Sequence, residues 1–207
     1  MTIYYVSATN GNNNNSGSKP EEPLRTIQAA INKVKAGDTI YIRTGTYSER
    51  LHIQKPGTTS EPILIAAYQN EKPVLEGGNL NIADDGGLIT IHQSQAVTLQ
   101  GLELRNSQGR GLLITKSSQI TLEGCQIHSC QAGGIQADNT DQIRIEGCQF
   151  YRCARRFLAG PPTLVYDAVA LRQCQDIHIE GNQIFENSSR GITIWTGCEK
   201  AVVQNNT

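Results

Sequence analysis

The stretch LITIHQSQAVTLQGLEL, residues 88–104, sets a pattern that recurs along the rest of the chain. Variants follow as LLITKSSQITLEGCQI (112–127), IQADNTDQIRIEGCQF (135–150), VALRQCQDIHIEGNQI (169–184) and ITIWTGCEKAVVQNN (192–206). Their markers Gly101, Gly124, Gly147, Gly181 and Asn205 are spaced by 23, 23, 34 and 24 residues. Each unit holds three short segments of alternating polarity, each too short for a helix. The repeat therefore predicts an all-β fold, a parallel β-helix with three strands per coil.

Alignment of the units also predicts the core. Apolar residues fall in three inward columns: Ile91, Ile114, Ala137, Leu171 and Ile194; Leu99, Leu122, Ile145, Ile179 and Val203; Leu104, Ile127, Phe150 and Ile184. Gly or Asn after the second strand is typical of a sharp bend through a left-handed residue. Columns that stay apolar from unit to unit indicate a continuous stacked core.

The six cysteines fall on similar columns. Cys125 and Cys148 are one repeat apart, as are Cys130 and Cys153, and Cys174 and Cys198 continue a column of small residues formed by Ser94, Ser117 and Thr140. Side chains on adjacent rungs lie about 4.8 Å apart, which exceeds the Cβ separation that a disulfide prefers. We therefore expect reduced, buried thiols. No CxxC pair or His cluster accompanies them, so they do not indicate a metal site.

Composition excludes several classes of protein. The 207 residues are 38% hydrophobic and 18% charged, as in an ordinary globular domain. No apolar run reaches the length of a membrane span, and a formal net charge of -1 favours no nucleic-acid partner. The start MTIYYVSATNG lacks the features of a signal peptide. Either the protein stays inside the cell or a signal peptide has been removed.

The first part of the chain differs from the repeats. After the polar run VSATNGNNNNSGSKPEEP, the segment TIQAAINKVKAG (26–37) places apolar residues on one helical face, ending at Gly37. A short amphipathic helix there would cover the open end of the first coil. We expect one domain over 1–207: strand, polar loop and capping helix in 1–37, irregular early coils in 38–85, and regular coils in 86–207 with an insertion at about 154–167.

Residues 3–50, including YYVSATNGNNNNSGSKPEEPLRTIQAAINKVKAGDTIYIRTGTYSE, resemble the amino-terminal signature of pectate-lyase-like right-handed β-helix proteins. That family includes polysaccharide lyases and mannuronan epimerases. The resemblance implies strands named PB1, PB2 and PB3, with substrate along the outer face of PB1. Since the glycine bend separates PB2 from PB3, PB1 holds the segments LITI, LLIT, IQAD, VALR and TIW.

Alternation along PB1 predicts which side chains face this substrate. The outward column is His92, Thr115, Asp138, Arg172 and Trp195, flanked by Lys116 in a turn. A second outward column, Thr90, Leu113, Gln136, Ala170 and Thr193, shows no chemical pattern. The insertion within RCARRFLAGPPTLVYD (152–167) enters before the fourth PB1 strand and would overhang the same face, ending in Tyr166 and Asp167.

Charge favours an acidic ligand for this face. The loops between PB3 and PB1 carry Arg105, Arg110, Arg152, Arg155, Arg156 and Arg190 against Asp167 and Glu186. A basic face on a nearly neutral protein indicates a polyanionic partner, and an acidic, uronate-containing polysaccharide suits the family best.

We therefore expect a lyase that cleaves this polysaccharide by β-elimination. Such a reaction neutralises a carboxylate, removes the C5 proton and protonates the leaving oxygen. We assign neutralisation to Arg172 and proton transfer to Lys116 or Tyr166, while Asp138 or Asp167 would tune the base or help to hold Ca²⁺. Trp195 would stack on a sugar ring. The remaining substrate-binding candidates are His92, Arg155, Arg156 and Arg190.

Other interpretations stay open. Asp138 and Arg172 on successive rungs could form only an exposed ion pair, and Trp195 could pack under the insertion. The groove could bind carbohydrate without turnover. A glycoside hydrolase or a uronan epimerase ranks third. A hydrolase needs two carboxylates about 5–9.5 Å apart. Asp138 and Asp167 meet that spacing only if the insertion folds back over PB1, and successive outward rungs carry no cluster of aspartates.

The last unit stops at AVVQNNT, without its third strand or a cap. We expect a piece of a longer β-helix, monomeric in solution, rather than two copies stacked end to end. A polysaccharide substrate favours an extracellular or periplasmic location, although reduced cysteines are compatible with cytoplasm.

Overall fold

Each repeat unit forms three strands, and equivalent strands of successive units pair in parallel. The computed structural model describes residues 1–155 and 166–207. Sheet A contains β1 (Ile3–Val6), β2 (Thr39–Ile42), β5 (Ile63–Ala67), β8 (Gln95–Gln100), β11 (Ser118–Glu123), β14 (Asp141–Glu146), β17 (Gln175–Glu180) and β20 (Glu199–Gln204). Sheet B contains β3 (Gly45–Tyr47), β6 (Pro73–Glu76), β9 (Glu103–Arg105), β12 (Gln126–His128), β15 (Gln149–Tyr151) and β18 (Gln183–Phe185).

Sheet C corresponds to the predicted PB1 strands. It contains β4 (Leu51–Ile53), β7 (Gly87–His92), β10 (Arg110–Thr115), β13 (Gly133–Asp138), β16 (Val169–Arg172) and β19 (Ile192–Ile194). From β2 onward the chain visits sheets A, B and C in turn, which confirms the predicted β-helix. The early coils follow the same cycle, and their irregularity lies in connections such as residues 54–62.

The three predicted inward columns are the observed core. Ile114 pairs with Ile91 on one side and Ala137 on the other, and Leu122 likewise lies between Leu99 and Ile145. The column residues are fully buried except in the later coils, where Ile194 is 37% exposed and Val203 is 45% exposed. Apolar burial along these columns is the main stabilising contribution, at roughly 25 cal/mol per Å² of apolar surface.

One α-helix, α1 (Ile27–Lys33), packs against β1, β2 and β4 of the first coils, as the capping prediction requires. The Thr26 hydroxyl accepts from the Ala29 N–H, which caps the helix N-terminus. The helix ends at Lys33, before the predicted stop at Gly37, which instead has a positive φ in the turn into β2. In the part of the chain that the structure describes, no helix is long and apolar enough to cross a membrane.

Each regular coil bends through four left-handed residues, of which the sequence pattern identifies one. In the coil of β7, β8 and β9 they are Gln93, Ala96, Gly101 and Asn106, with φ of 47, 50, 67 and 57°. The equivalent positions of the next coil, Lys116, Gln119, Gly124 and Ser129, repeat these values within about 10°. Corner geometry is therefore a property of the coil, and glycine only lowers its cost.

Small polar side chains at the corners join one coil to the next. Asn182 accepts from the Cys148 N–H (2.8 Å) and donates to the Ile145 carbonyl (2.9 Å), both in the preceding coil. Asn206 makes the same contacts one coil later, to the Asn182 N–H and the Ile179 carbonyl. At these bends the strand ladder does not satisfy the backbone, so side chains supply the missing hydrogen bonds.

The cysteines occupy these corners as weak donors. All six are free, five are buried and Cys198 is half-buried. Cys125 donates from Sγ to the Leu99 carbonyl at 3.6 Å, as Cys174 does to the Ala137 carbonyl at 3.5 Å. Burial raises the pKa of Cys174 to about 11, so its thiol stays protonated at neutral pH.

Replacement of Asn182 by Ala should destabilise the protein. Cys148 N–H and Ile145 C=O would stay buried without partners, and we expect the free energy of unfolding to fall by about 1–3 kcal/mol. Asn205→Gly is the matched control, because the exposed left-handed residue there aligns with Gly181 and should change stability by less than about 0.5 kcal/mol. Urea unfolding followed by circular dichroism measures both; equal midpoints would contradict the structural role of Asn182.

Candidate functional site

The predicted outward column of sheet C exists as predicted. Thr115 pairs with His92 and Asp138 on either side, and Asp138 pairs with Arg172. Trp195 follows β19 on the rung next to Arg172. His92 and Thr115 share a hydrogen bond of 2.7 Å between Nδ1 and Oγ1, so their side chains hold each other in place.

Asp138 and Arg172 form a bidentate ion pair on successive rungs. Arg172 donates from Nε to Oδ1 (2.6 Å) and from Nη2 to Oδ2 (3.1 Å). Gln136 also donates to Oδ2 at 2.6 Å. Hydrogen bonding to the Asp138 carboxylate raises the pKa of Arg172, so the guanidinium is a permanent cation. Its side chain is 41% exposed, and its third nitrogen, Nη1, takes no part in the pair.

A second arginine, Arg190, is held in a different way. Its Nε donates to Asp167 Oδ1 at 3.1 Å, and Ser189 Oγ donates to the same oxygen at 3.0 Å. The Asp167 side chain is fully buried while that of Arg190 is 56% exposed. The Arg190 guanidinium lies over the Trp195 ring, 5.3 Å from its centroid. A buried carboxylate thus holds Arg190 through Nε, and its two terminal nitrogens take no part in that hydrogen bond.

Trp195 and the Asp138–Arg172 pair border a shallow cavity of about 420 Å³ on the outer side of sheet C. Its lining residues are Asp138, Asn139, Arg172, Gln173, Trp195 and Thr196. We call this cavity, together with Arg190 and Asp167, the arginine site. It combines two guanidinium groups with an aromatic ring.

The two proton-transfer candidates lie at opposite ends of the sheet C strands. Lys116 follows β10 in a left-handed turn and is exposed. Its backbone N–H donates to the Asp138 carbonyl at 3.1 Å. Tyr166 precedes β16, is buried against Ala132 and Ala154, and donates to Asp84 Oδ2 at 3.4 Å. The structure therefore does not bring Lys116 and Tyr166 together.

The expected basic face is largely neutralised, which corrects the charge argument. Arg105 pairs with Glu76 (2.8 Å) and Glu103 (3.1 Å), and Arg152 pairs with Glu186 (2.9 Å). Arg110 is buried, its Nη1 donates to the Asp84 carbonyl, and burial lowers its pKa. Because neighbouring coils are in register, an acidic side chain lies opposite most of these arginines.

Two more predicted binding residues belong to the insertion. Arg155 is exposed. Arg156 and the rest of residues 156–165 lie outside the described residues, and so does the predicted overhang of the insertion.

Buried polar atoms without a partner concentrate on this face. Within the described ranges they include Thr90 Oγ1, Gln136 Oε1, Asp167 Oδ2, Thr193 Oγ1 and Trp195 Nε1. Gln136 and Thr193 come from the outward column in which the sequence showed no pattern, and Gln136 is in contact with Asp138. Native proteins pair most buried polar groups, so unpaired ones are typical of functional sites. In the sequence, the one signal for Gln136 is its position two residues before Asp138.

The described residues do not suit Ca²⁺. That ion takes six to eight oxygen ligands, whereas residues 1–155 and 166–207 contain no group of three or more His, Cys, Asp or Glu placed to hold a metal. Both oxygens of Asp138 already accept hydrogen bonds from Arg172 and Gln136. Both oxygens of Asp138 are thus engaged, whereas Asp167 accepts from Ser189 and Arg190 through Oδ1 only.

The position of Arg190 over Trp195 can be tested by fluorescence, because the chain contains a single tryptophan. Arg190→Ala should uncover the indole and shift its emission to longer wavelength. Arg144→Ala, an exposed arginine on sheet A, is the control and should leave the spectrum unchanged. Identical spectra for the wild type and Arg190→Ala would contradict the contact.

Comparison with known proteins agrees with this architecture. A family model described as Pel9A-like, right handed beta helix region, matches residues 4–161. An uncharacterised protein of Bacillus subtilis, YwoF, is 36% identical over 104 residues, which are 50% of this chain and 22% of that protein. Pectate lyase PEL9 of Emericella nidulans is 36% identical over 98 residues, 42% of this chain and 24% of that protein. The chain thus spans about a quarter of the length of these curated relatives.

Solved structures share the fold at low identity. Pectate lyase Pel9A has a TM-score of 0.60 at 15% identity, covering 100% of this chain and 78% of its own. A GH136 lacto-N-biosidase from Eubacterium ramulus has a TM-score of 0.72 at 18% identity, covering 93% of this chain and 43% of its own. A lyase and a glycosidase of this fold at similar identity indicate that the fold alone does not decide the activity.

Proposed function

This chain belongs to the Pel9A-like right-handed β-helix family, and from that premise we propose that it binds an acidic, uronate-containing polysaccharide along the outer face of sheet C and cleaves it by β-elimination. The observation that carries the proposal is the arginine site. Arg190 is exposed, pairs with buried Asp167 and lies over Trp195, and Trp195 lines the same cavity as Arg172. Such a set is suited to carboxylate-bearing sugar rings.

Carboxylate recognition uses the guanidinium nitrogens that the protein leaves open. Arg190 donates from Nε to Asp167, and its two terminal nitrogens can form a bidentate pair with a substrate carboxylate. Arg172 donates from Nε and Nη2 to Asp138, so Nη1 can donate to a second carboxylate. Successive rungs are about 4.8 Å apart, so a chain lying along the solenoid axis meets one of these groups after another.

β-Elimination then requires a base near the uronate whose carboxylate Arg172 neutralises. Lys116 is exposed and lies two rungs from Arg172, about 10 Å along the axis, which two long side chains can span around one sugar ring. The Lys116 amine takes the C5 proton, the C5–H electron pair forms the C4–C5 double bond, and the C4–O bond breaks. The leaving oxygen takes a proton from water. Arginine next to the carboxylate stabilises the charge that develops at C5.

Tyr166 is less suited to proton transfer from a substrate. Its hydroxyl is buried and directed at Asp84, so we assign it a positioning role before β16. Asp138 and Asp167 likewise act on Arg172 and Arg190, which makes both aspartates positioning residues.

A non-catalytic binding module is the second candidate. Lys116 lies three rungs from Trp195, so the base and the Arg190–Trp195 pair serve different sugars, an arrangement that also suits binding alone. A glycoside hydrolase has less support. It needs two carboxylates that flank the scissile bond, whereas Asp138 and Asp167 are each paired with an arginine. An epimerase would use the same C5 proton removal without bond cleavage.

A polymeric substrate also supports an extracellular or periplasmic location. The steps proposed here use side chains of this chain and water alone.

Binding and turnover can be measured separately. Polygalacturonate and alginate should quench Trp195 fluorescence, and the wild type should release unsaturated uronate, detected by ultraviolet absorbance. Arg190→Ala should weaken binding about ten-fold. Lys116→Ala should bind normally but lose at least about 100-fold in turnover, the usual contribution of a positioned base.

Lys35→Ala is the control, since this exposed lysine precedes β2, away from sheet C, and should behave as the wild type. Binding without unsaturated product would reject the lyase and leave the binding module. Failure of both polymers to bind, or tight binding by Arg190→Ala, would overturn the assignment of the arginine site.

A further inference from the structure

A second cavity, of about 470 Å³, lies on the outer side of sheet A, on a different side of the solenoid from the arginine site. Thr98, Thr121 and Arg144 form its floor and are consecutive members of one outward column. Left-handed corner residues, including Gln119 and Gln142, form one wall. We call this cavity the threonine groove.

A loop that crosses between coils forms the lip of the groove. Residues 54–62 connect β4 to β5, and Gly57 donates from its N–H to the Gln95 carbonyl at 2.8 Å. A Cβ at Gly57 would lie 2.7 Å from the Ala96 carbonyl oxygen, so the loop backbone packs directly on the next coil. Further along, Thr59 Oγ1 and the Gln119 amide exchange hydrogen bonds of 3.0 and 2.9 Å. The lip is therefore fixed two coils beyond its own, which makes the concavity a permanent feature.

The groups facing the groove are mostly uncharged. Thr98 and Thr121 offer hydroxyls and Gln142 offers an amide, and these side chains make no hydrogen bond to the residues that the structure describes. Hydroxyls and amides both donate and accept, as sugar hydroxyls do. Thr98 and Thr121 lie on successive coils, about 4.8 Å apart, so a saccharide parallel to the axis meets a hydroxyl on two neighbouring rungs before it reaches Arg144.

Charge around the groove disfavours an acidic chain. The neighbouring outward column of sheet A runs Gln100, Glu123, Glu146 and Glu180 through paired rungs. Arg144 is directed toward Glu146 at 3.5 Å, and Asp176 lines the wall. A polyuronate would meet this row of carboxylates, whereas an uncharged sugar would not.

We propose that the threonine groove is a second saccharide site, which binds an uncharged, hydroxyl-rich segment of polysaccharide independently of the arginine site. It differs from the arginine site in chemistry, since hydroxyls and amides replace guanidinium groups and a stacked ring. Two observations support the proposal. The lip is hydrogen-bonded to Gln119, and the hydroxyls of Thr98 and Thr121 below it lie beside a column of acidic residues.

Two ligands that differ only in their carboxylates test the proposal: an oligosaccharide of galactose and the corresponding oligosaccharide of galacturonic acid. The neutral ligand should shift the NMR signals of the Gln119 and Gln142 side-chain amides. Thr98→Val/Thr121→Val removes two hydroxyls at nearly constant shape and should weaken neutral binding about ten-fold. Thr46→Val, at an exposed threonine of sheet B, is the matched control and should bind as the wild type does.

Independence from the arginine site is tested in the same experiment. Arg190→Ala should leave neutral binding unchanged, and the double threonine variant should leave acidic binding unchanged. The proposal is overturned if the neutral ligand shifts neither amide, if it shifts signals of sheet C instead, or if the double variant binds it as tightly as the wild type. Failure of the acidic ligand alone would count against the arginine site and not against this groove.

Discussion

The hydrogen bond between one coil and the next governs the whole molecule. Every strand residue pairs with its equivalent about 4.8 Å away, so register is fixed from the first coil to the last and side chains stack in columns. In the core, this register places Ile91, Ile114 and Ala137 in one column, with Ile114 between the other two. At the corners the strand ladder is interrupted, and a side chain such as Asn182 supplies the missing donor and acceptor. Core, corners and outer faces thus follow from one constraint.

The same register limits where binding chemistry can occur. An outward charge has neighbours one rung away, and on sheets B and C some of these neighbours have the opposite sign, as in Arg105 with Glu76 and Arg172 with Asp138. Such pairs are worth little in stability when exposed, but they occupy guanidinium nitrogens that a substrate would need. Arg190 precedes β19 and also pairs with an aspartate one rung away, but through Nε alone, and that aspartate is fully buried. Its terminal nitrogens take no part in this pair.

The columns could be predicted from the sequence because a repeat of fixed period determines register without knowledge of any contact. The outward order of His92, Thr115, Asp138, Arg172 and Trp195 came from alternation alone. Ion pairs between side chains are harder to predict, because they depend on the charge and the length of each side chain. The prediction of a basic face was wrong because Glu76, Glu103 and Glu186 pair with arginines. The burial of Asp167 and Tyr166 depends on how the chain returns from the insertion, and insertions break the period. Corner residues such as Gln93 and Ala96 adopt positive φ without any glycine to signal it.

A three-sided solenoid presents separate faces, so a single straight segment of polysaccharide cannot occupy both proposed sites. The arginine site on sheet C and the threonine groove on sheet A lie on different faces, and the corners between them are closed by side-chain hydrogen bonds such as that of Ser94 with the Ile53 carbonyl. Coupling between two sites needs an element with two arrangements, and a ladder with fixed register offers none. Ligands at the two sites should therefore bind without affecting each other's affinity. A polymer that carries both acidic and neutral segments would bind more tightly through effective concentration instead. The first segment to bind holds the second segment near the face to which that second segment binds.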